Sequence, residues 1–336
     1  MKNLLTDIPG ILVGNAHDQQ VCTGVTVIRC LRPMVCAVDI AGGGPGTRET
    51  DALAPENLVD AIDAIVLSGG SVYGLAAADA VTAKLGAGGV GFGLVDVTGV
   101  PKSPIVPSAI LYDLANGGNK NWGEVTPYHD LGKQALENCD REFDLGNAGA
   151  GYGALAGTIK GGLGSASYLS KDGFTVAALV AVNSFGSVTE PNSSRLWAAP
   201  FEQGGEFGKS ITTQSRNSFD LEDWGAAKIN PGARQNTTLA VVATDLPLTP
   251  AQTKRMAKMA QSGLARAIRP VAAPFDGDVV FALSADADQS VSRIDQLLLA
   301  RAGSLAADCL TRAIGRGIVS ARSIGEHQSW KKQTSP

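Results

Sequence analysis

The stretch PGARQNTTLAVVATD, residues 231–245, decides how this chain is read. Its polar, Gly/Pro-marked approach runs into TLAVVAT (238–244), a continuous apolar run of strand length. That pattern belongs to a strand buried on both faces. Just beyond it, Thr249-Pro250-Ala251-Gln252 has the form of a capping box with proline at the first helical position. A helix is therefore expected next, with Met256, Met259, Ala260, Leu264 and Ala267 on one face. The odd feature is the junction, where Asn236-Thr237-Thr238 brings two hydroxyls to the mouth of a buried strand.

Working outward, GVTVIRC (24–30), MVCAVDI (34–40), DAIVLSGG (63–70) and PSAILYDL (107–114) read as short strands. SVYGLAAADAVTAKL (71–85) reads as a helix, with Leu75, Ala78, Val81 and Leu85 at helical spacing and Gly86 closing it. The GxGxxG spelled by Gly86, Gly88 and Gly91 thus follows a helix instead of opening one, the wrong context for a dinucleotide site. GGLGSASYLSKDGFTVAALVAVN (161–183) reads as a hairpin turning at Lys171-Asp172-Gly173. From Ser184 to Gln235 periodicity is lost, and a loop of that length in a compact domain is usually functional or disordered. DVVFALS (278–284) is a further strand, about Val291 to Ile314 a long amphipathic helix, and EHQSWKKQTSP at the end a frayed tail. Strands in hairpin-like groups with helices packed over them fit an α+β layered domain, taken as a single unit over 1–336.

Composition narrows the partners. Of 336 residues, 44% are apolar and 18% charged, and the formal net charge of -4 comes with no Lys/Arg block. Nucleic acid and anionic membranes are therefore poor candidates, and a peptide or small molecule a better one. Five cysteines without CxxC spacing argue for reduced thiols in a cytoplasm, and no apolar run reaches the length of a membrane helix. Glycine is in excess, 41 residues gathered in blocks such as AGGGPG (41–46) and GNAGAGYG (146–153), so close backbone approaches are expected.

Only His17, His129 and His327 are present, none at metal-ligand spacing, which disfavours a Ser-His-Asp triad or a histidine-bound metal. A threonine can cleave amides without histidine if it stands at a free N-terminus, where its own α-amine takes the hydroxyl proton. Thr237 would reach that state by a cut after Asn236. From the tripeptide alone, NTT reads first as a strand entry with a turn-favouring asparagine.

Several blocks in order change this balance. QNTTLAVVATDLPLTPAQTKRMAKMAQSGLARAI (235–268) resembles the nucleophile segment of the DmpA-type peptidases, a family of L-aminopeptidase/D-esterases, β-peptidyl aminopeptidases and nylon-oligomer hydrolases. GGGPGTRETDAL (42–53), LSGGSVYGLAAADAV (67–81), PSAILYDL, GAGYGALAG (149–157), KGGLGSAS (160–167) and AVNSFG (181–186) resemble family blocks in the same sequence order.

The resemblance implies an αββα sandwich like that of N-terminal nucleophile hydrolases with its own DmpA-type connectivity, cofactor-free and self-cleaved into pieces 1–236 and 237–336. The pieces are expected to stay together in a homotetramer of αβ units acting on peptides or small amides. By position, Thr237 matches the nucleophile, Asn183 and Tyr112 the donors to the reacting carbonyl oxygen, and Asp276 and Asp278 the pair at the nucleophile and its amine. Gly70 and Ser71 are expected near the substrate. Where family members carry lysine directly after the glycine of the GAxxGAxxG block, this chain has Thr158, with Lys160 two residues on, so a role for Lys160 is open. Two rival readings are an acyltransferase of the ornithine acetyltransferase type, which shares a related architecture, and an uncut, non-catalytic scaffold.

Overall fold

The computed structural model describes residues 1–93, 97–208, 219–228, 236–285 and 294–334. Its strands are β1 (Ile11–Asp18), β2 (Thr23–Ile40), β3 (Thr47–Arg48), β4 (Ala61–Ser68), β5 (Ser108–Ile110), β6 (Leu155–Ala156), β7 (Ile159–Lys160), β8 (Gly162–Leu169), β9 (Thr175–Asn183), β10 (Thr237–Thr244) and β11 (Val279–Ser284). Its helices are α1 (Ala76–Ala87), α2 (Tyr128–Glu137), α3 (Pro250–Ala267), α4 (Gln296–Ser320) and α5 (Trp330–Thr334). Nine strands form one mixed sheet in the order β3-β5-β4-β2-β11-β10-β9-β8, with β1 also paired to β2. β6 and β7 pair separately.

All eight residues of β10 are buried, as the unbroken apolar run requires. Successive side chains of a strand point to opposite faces, so each face of β10 needs its own core. Val241 meets Leu179, Phe281, Ile28 and Leu67 in a core between the two halves of the sheet. Val242 meets Val180, Met256, Leu264 and Leu310 in a second core under α3 and α4. A third core, with Val25, Val27 and Val66, lies under Val81 of α1 and Leu131 of α2. The sheet therefore folds on itself along β2, and helices cover both outer faces. The order of layers is helix, sheet, sheet, helix, which bears out the expected αββα sandwich.

β10 and β11 run parallel, which obliges a crossover between them. α3 supplies it, opened by the expected capping box: Gln252 N donates to Thr249 Oγ1 at 3.3 Å, and Thr249 N to Gln252 Oε1 at 3.0 Å. The hairpin of β8 and β9 also forms as expected, with Leu169 opposite Thr175.

Four expectations need correction. Residues 24–30 and 34–40 are one strand, because Leu31, Arg32 and Pro33 stay extended and exposed while the pairing with β4 shifts register between Arg29 and Met34. β1 was not anticipated: Gly14, Asn15 and His17 interrupt its apolar pattern, yet it pairs with β2 along its whole length. The 71–85 helix begins as a 3₁₀ turn over Ser71–Leu75, and the 107–114 strand shrinks to β5. The end of the chain is not frayed at Trp330, whose ring is buried and whose Nε1 donates to the Ser194 carbonyl at 2.8 Å. One aromatic anchor outweighs a polar surrounding sequence.

The aperiodic segment divides. Residues 184–190 are buried, and 219–228 is pinned to the sheet end, while 209–218 and 229–235 lie outside the described residues. So does the expected start of the last long helix at Val291, whose described part α4 continues to Ser320. Among the described residues no helix is long and apolar enough to cross a membrane. All five cysteines are unpaired.

Candidate active site

Three strand ends meet where β10 begins. Thr237, its first residue, lies opposite Asn183, the last residue of β9, and β11 starts beside them immediately after Asp278. The turn Asp276-Gly277-Asp278 is held against this junction by the glycine run that leaves β2. Gly44 N donates to the Asp276 carbonyl at 2.7 Å and Ala41 N to the Asp278 carbonyl at 3.0 Å. A Cβ on Gly42 would fall 2.3 Å from the Asp276 carbonyl oxygen, so only glycine allows the strap to lie this close. The AGGGPG block is thus a backbone clamp on the acidic turn.

The bond between Asn236 and Thr237 is enclosed, with the two residues 0% and 4% exposed. The Thr237 hydroxyl donates to the carbonyl oxygen of Asn236. That same oxygen accepts the Gly277 N–H at 3.0 Å. A hydroxyl and a backbone donor thus converge on one peptide carbonyl, the geometry that polarises it toward attack. Gly277 has to be glycine here, because a Cβ would lie 2.6 Å from Thr237 Oγ1.

The two carboxylates differ in partners. Asp278 Oδ1 accepts from Thr238 N at 2.7 Å and its Oδ2 from Ala272 N at 3.0 Å. Asp276 Oδ2 accepts from Ala273 N at 3.1 Å, and its buried Oδ1 has no hydrogen-bond partner. Burial pushes both carboxyls above the usual carboxylate range, and for Asp276 the negative charge of Asp278 adds to it. Burial outweighs the backbone donors, which act in the opposite sense.

Asn183 is the hub of the neighbouring loops. Its Oδ1 accepts from Leu155 N at 2.9 Å and Asn116 Nδ2 at 3.1 Å, and its Nδ2 donates to the Tyr112 carbonyl at 2.9 Å. The amide is thereby fixed in plane, and its second N–H donates to no group among the described residues. Tyr112 enters this network through its main chain, with its side chain half-buried. The next residue, Asp113, accepts from Gly70 N at 2.8 Å and Thr23 Oγ1 at 2.7 Å, which ties the Gly70-Ser71 turn to the Tyr112 segment.

Lys160 is placed otherwise. Its ammonium, on a residue 1% exposed, donates to the carbonyls of Gly151, Ala154 and Gly161 at 3.0, 3.0 and 2.8 Å. Burial pulls it down to about 7. The lysine that does reach the junction is Lys228, which sequence reading missed: its Nζ donates to Asn236 Oδ1 at 2.6 Å. Burial lowers it to about 8, with the charge of Asp276 opposing that shift. It lies in the aperiodic segment, where no spacing marks a site residue.

Comparison with known proteins gives a family and a fold. The model of Peptidase family S58 matches residues 3–331. An uncharacterized aminopeptidase of Mycobacterium tuberculosis is 39% identical over 347 residues, covering 96% of this chain and 95% of that protein. The 6-aminohexanoate-oligomer endohydrolase of a Kocuria species is 29% identical over 293 residues, covering 85% and 76%. Among solved structures, a Burkholderia β-aminopeptidase superposes with a TM-score of 0.71 at 20% identity over 98% of this chain and 90% of that one. The L-aminopeptidase D-Ala-esterase/amidase of Ochrobactrum anthropi, described as a variant of the Ntn hydrolase fold, gives 0.71 at 21% over 97% and 88%.

Proposed function

Because the chain belongs to peptidase family S58, we propose that this hydrolase is an aminopeptidase or amidase that cuts itself between Asn236 and Thr237 and then works through the freed Thr237. The observation that carries the proposal is the convergence of the Thr237 hydroxyl and the Gly277 N–H, at 3.0 Å, on the Asn236 carbonyl oxygen.

In the cut, Thr237 Oγ1 attacks the Asn236 carbonyl carbon. Charge develops on the oxygen that already faces the Gly277 N–H, the hydroxyl proton passes to the departing nitrogen, and an ester replaces the amide. Water then hydrolyses the ester. The products are an Asn236 carboxylate, ending the 1–236 piece, and a Thr237 amine beginning the 237–336 piece. That amine has an ordinary pKa near 8, matched to taking up the Oγ1 proton in later turnovers.

With a substrate, Thr237 Oγ1 forms the acyl-enzyme and releases the amine portion, and water clears the ester. The spare N–H of Asn183 supplies a donor to the substrate oxyanion without adding a charge, and the Tyr112 phenol is assigned to the same oxyanion by the family resemblance. Asp276 and Asp278 orient the new amine. Lys160, which already serves three carbonyls, holds the 151–161 turn on which Leu155 presents its N–H to Asn183.

Substrates are N-terminal residues of peptides or related small amides, a reading supported by the names of the relatives. No cofactor takes part. The two pieces remain associated, in tetramers of αβ units, and the unpaired cysteines suit a reducing cytoplasm. The test is a screen of the purified protein against amino-acid p-nitroanilides and 6-aminohexanoate oligomers, with and without an amine acceptor. Hydrolysis dependent on Thr237 is expected. Acyl transfer to the amine in preference to water would contradict it.

A further inference from the structure

Asn236 is the first acyl group that Thr237 takes up. Its side chain marks the place that an acyl residue on Thr237 occupies in the cut, and later acyl residues meet the same attacking atom. A built cradle surrounds that side chain. Lys228 Nζ donates to Asn236 Oδ1 at 2.6 Å and to the Leu155 carbonyl at 3.3 Å. Leu155 in turn gives its N–H to Asn183, so the cradle and the oxyanion amide share one residue.

Lys228 is held firmly from behind. Its own N–H donates to the Phe185 carbonyl at 3.1 Å, and the Ala226 carbonyl accepts from Thr158 N at 2.9 Å. Opposite, Asp276 is bridged to Asn236 along the backbone and keeps one buried oxygen without a partner, as does the Asn236 amide nitrogen. A cation facing a side-chain carbonyl is thus part of the acyl position.

We propose that Lys228 sets the specificity of the mature enzyme, favouring acyl residues that carry a carbonyl oxygen at the γ position, asparaginyl foremost, over apolar residues of the same size. The inference rests on the reading of Thr237 as nucleophile. An asparaginyl group restores the bond that Asn236 makes. A leucyl group of nearly the same shape leaves the part-buried ammonium only the long contact to Leu155 and the charge of Asp276, and a donor stripped of its acceptor there is costly. Aspartyl ranks below asparaginyl, because its carboxylate faces Asp276 and Asp278 as well as Lys228. Sites built on a hydrogen bond reject the analogue lacking it more strongly than apolar pockets reject a polar one.

The experiment measures kcat/KM of the processed wild-type protein on asparaginyl, leucyl and alanyl p-nitroanilides, together with Lys228→Met and Lys228→Arg. A charge-assisted hydrogen bond corresponds to a preference for asparaginyl over leucyl of about tenfold or more. In Lys228→Met that ratio should fall to about one, and Lys228→Arg should retain a preference. A wild-type ratio at or below one overturns the proposal, and so does an unchanged ratio in Lys228→Met. If Lys228→Met stays uncut, the wild-type and Lys228→Arg ratios decide. A wild-type protein that is never cut, or cleaves none of the amides, fails at the earlier step and takes this inference with it. A cut, active protein with no asparaginyl preference defeats this inference alone.

Discussion

Lys160, enclosed, and Lys228, part-buried, are two cations at the same end of the sheet, both lowered by burial, and they are partnered in opposite ways. Lys160 faces three backbone carbonyls, all within 3.0 Å, and among the described residues forms no ion pair with a carboxylate. Lys228 faces the side chain of the residue before Thr237 and, across it, a carboxylate with an unpartnered oxygen. The difference teaches how to separate a structural buried charge from a poised one. The first has its donors matched inside one turn and is indifferent to the chemistry nearby. The second is completed by the side chain of Asn236, the residue on the near side of the proposed cut.

The largest effect should come at the poised end. Gly277→Ala places a Cβ 2.6 Å from Thr237 Oγ1 and 3.0 Å from the Gly44 carbonyl, so hydroxyl and backbone donor can no longer share the Asn236 oxygen. Loss of one oxyanion donor costs about 10²–10³ in rate. The cut should slow by about a hundredfold, read as persistence of the full-length chain on denaturing gels after pulse labelling. Cutting at the wild-type rate would remove Gly277 from the account.

Lys160→Met tests the structural end. It leaves three carbonyls short of a donor, and a loss of about 1–3 kcal/mol in unfolding free energy is expected from denaturant titration. If the variant keeps full stability but cannot be cut, the two lysines have been assigned the wrong way round.

A pH series sharpens the same contrast. The Lys160 pKa drops from 10.5 in the open chain to about 7 in the fold, so folding penalises its charged form. That penalty is whole below pH 7 and fades as pH rises toward 10.5. Wild type should therefore gain stability relative to Lys160→Met between pH 7 and pH 10, and a constant difference would show that the ammonium is not desolvated. Smallest is Thr249→Ala, far from both lysines. Loss of the capping box should lower stability by about 1 kcal/mol and leave the cut intact.

Part of the candidate site was legible in the sequence. The NTT junction was legible as two hydroxyls at the mouth of a buried strand, whereas Asn183 and the acidic turn around Gly277 were named only by the resemblance to the DmpA-type peptidases. The α+β layering followed from hairpin-like groups of strands with helices over them, and the αββα sandwich from the resemblance; the unbroken apolar run of β10 is what needs a core on each face. What stayed hidden depends on contacts distant in sequence. The glycine run at 42–44 announces a close approach without saying that Asp276 and Asp278 are what it approaches. Gly277 contributes a backbone N–H, which no side-chain pattern records. Lys228 sits in an aperiodic segment, and its own bond to Phe185, with that of Ala226 to Thr158, brings it to Asn236.

The central claim is that the Asn236–Thr237 bond is cut by Thr237 itself. Denaturing mass spectrometry of the purified wild-type chain beside Thr237→Ala tests it most directly. The account predicts two wild-type pieces, 1–236 and 237–336, whose masses sum to the 34.5 kDa chain plus one water, and an intact Thr237→Ala chain. A wild-type chain that remains whole, or a Thr237→Ala chain split at the same bond, would contradict it.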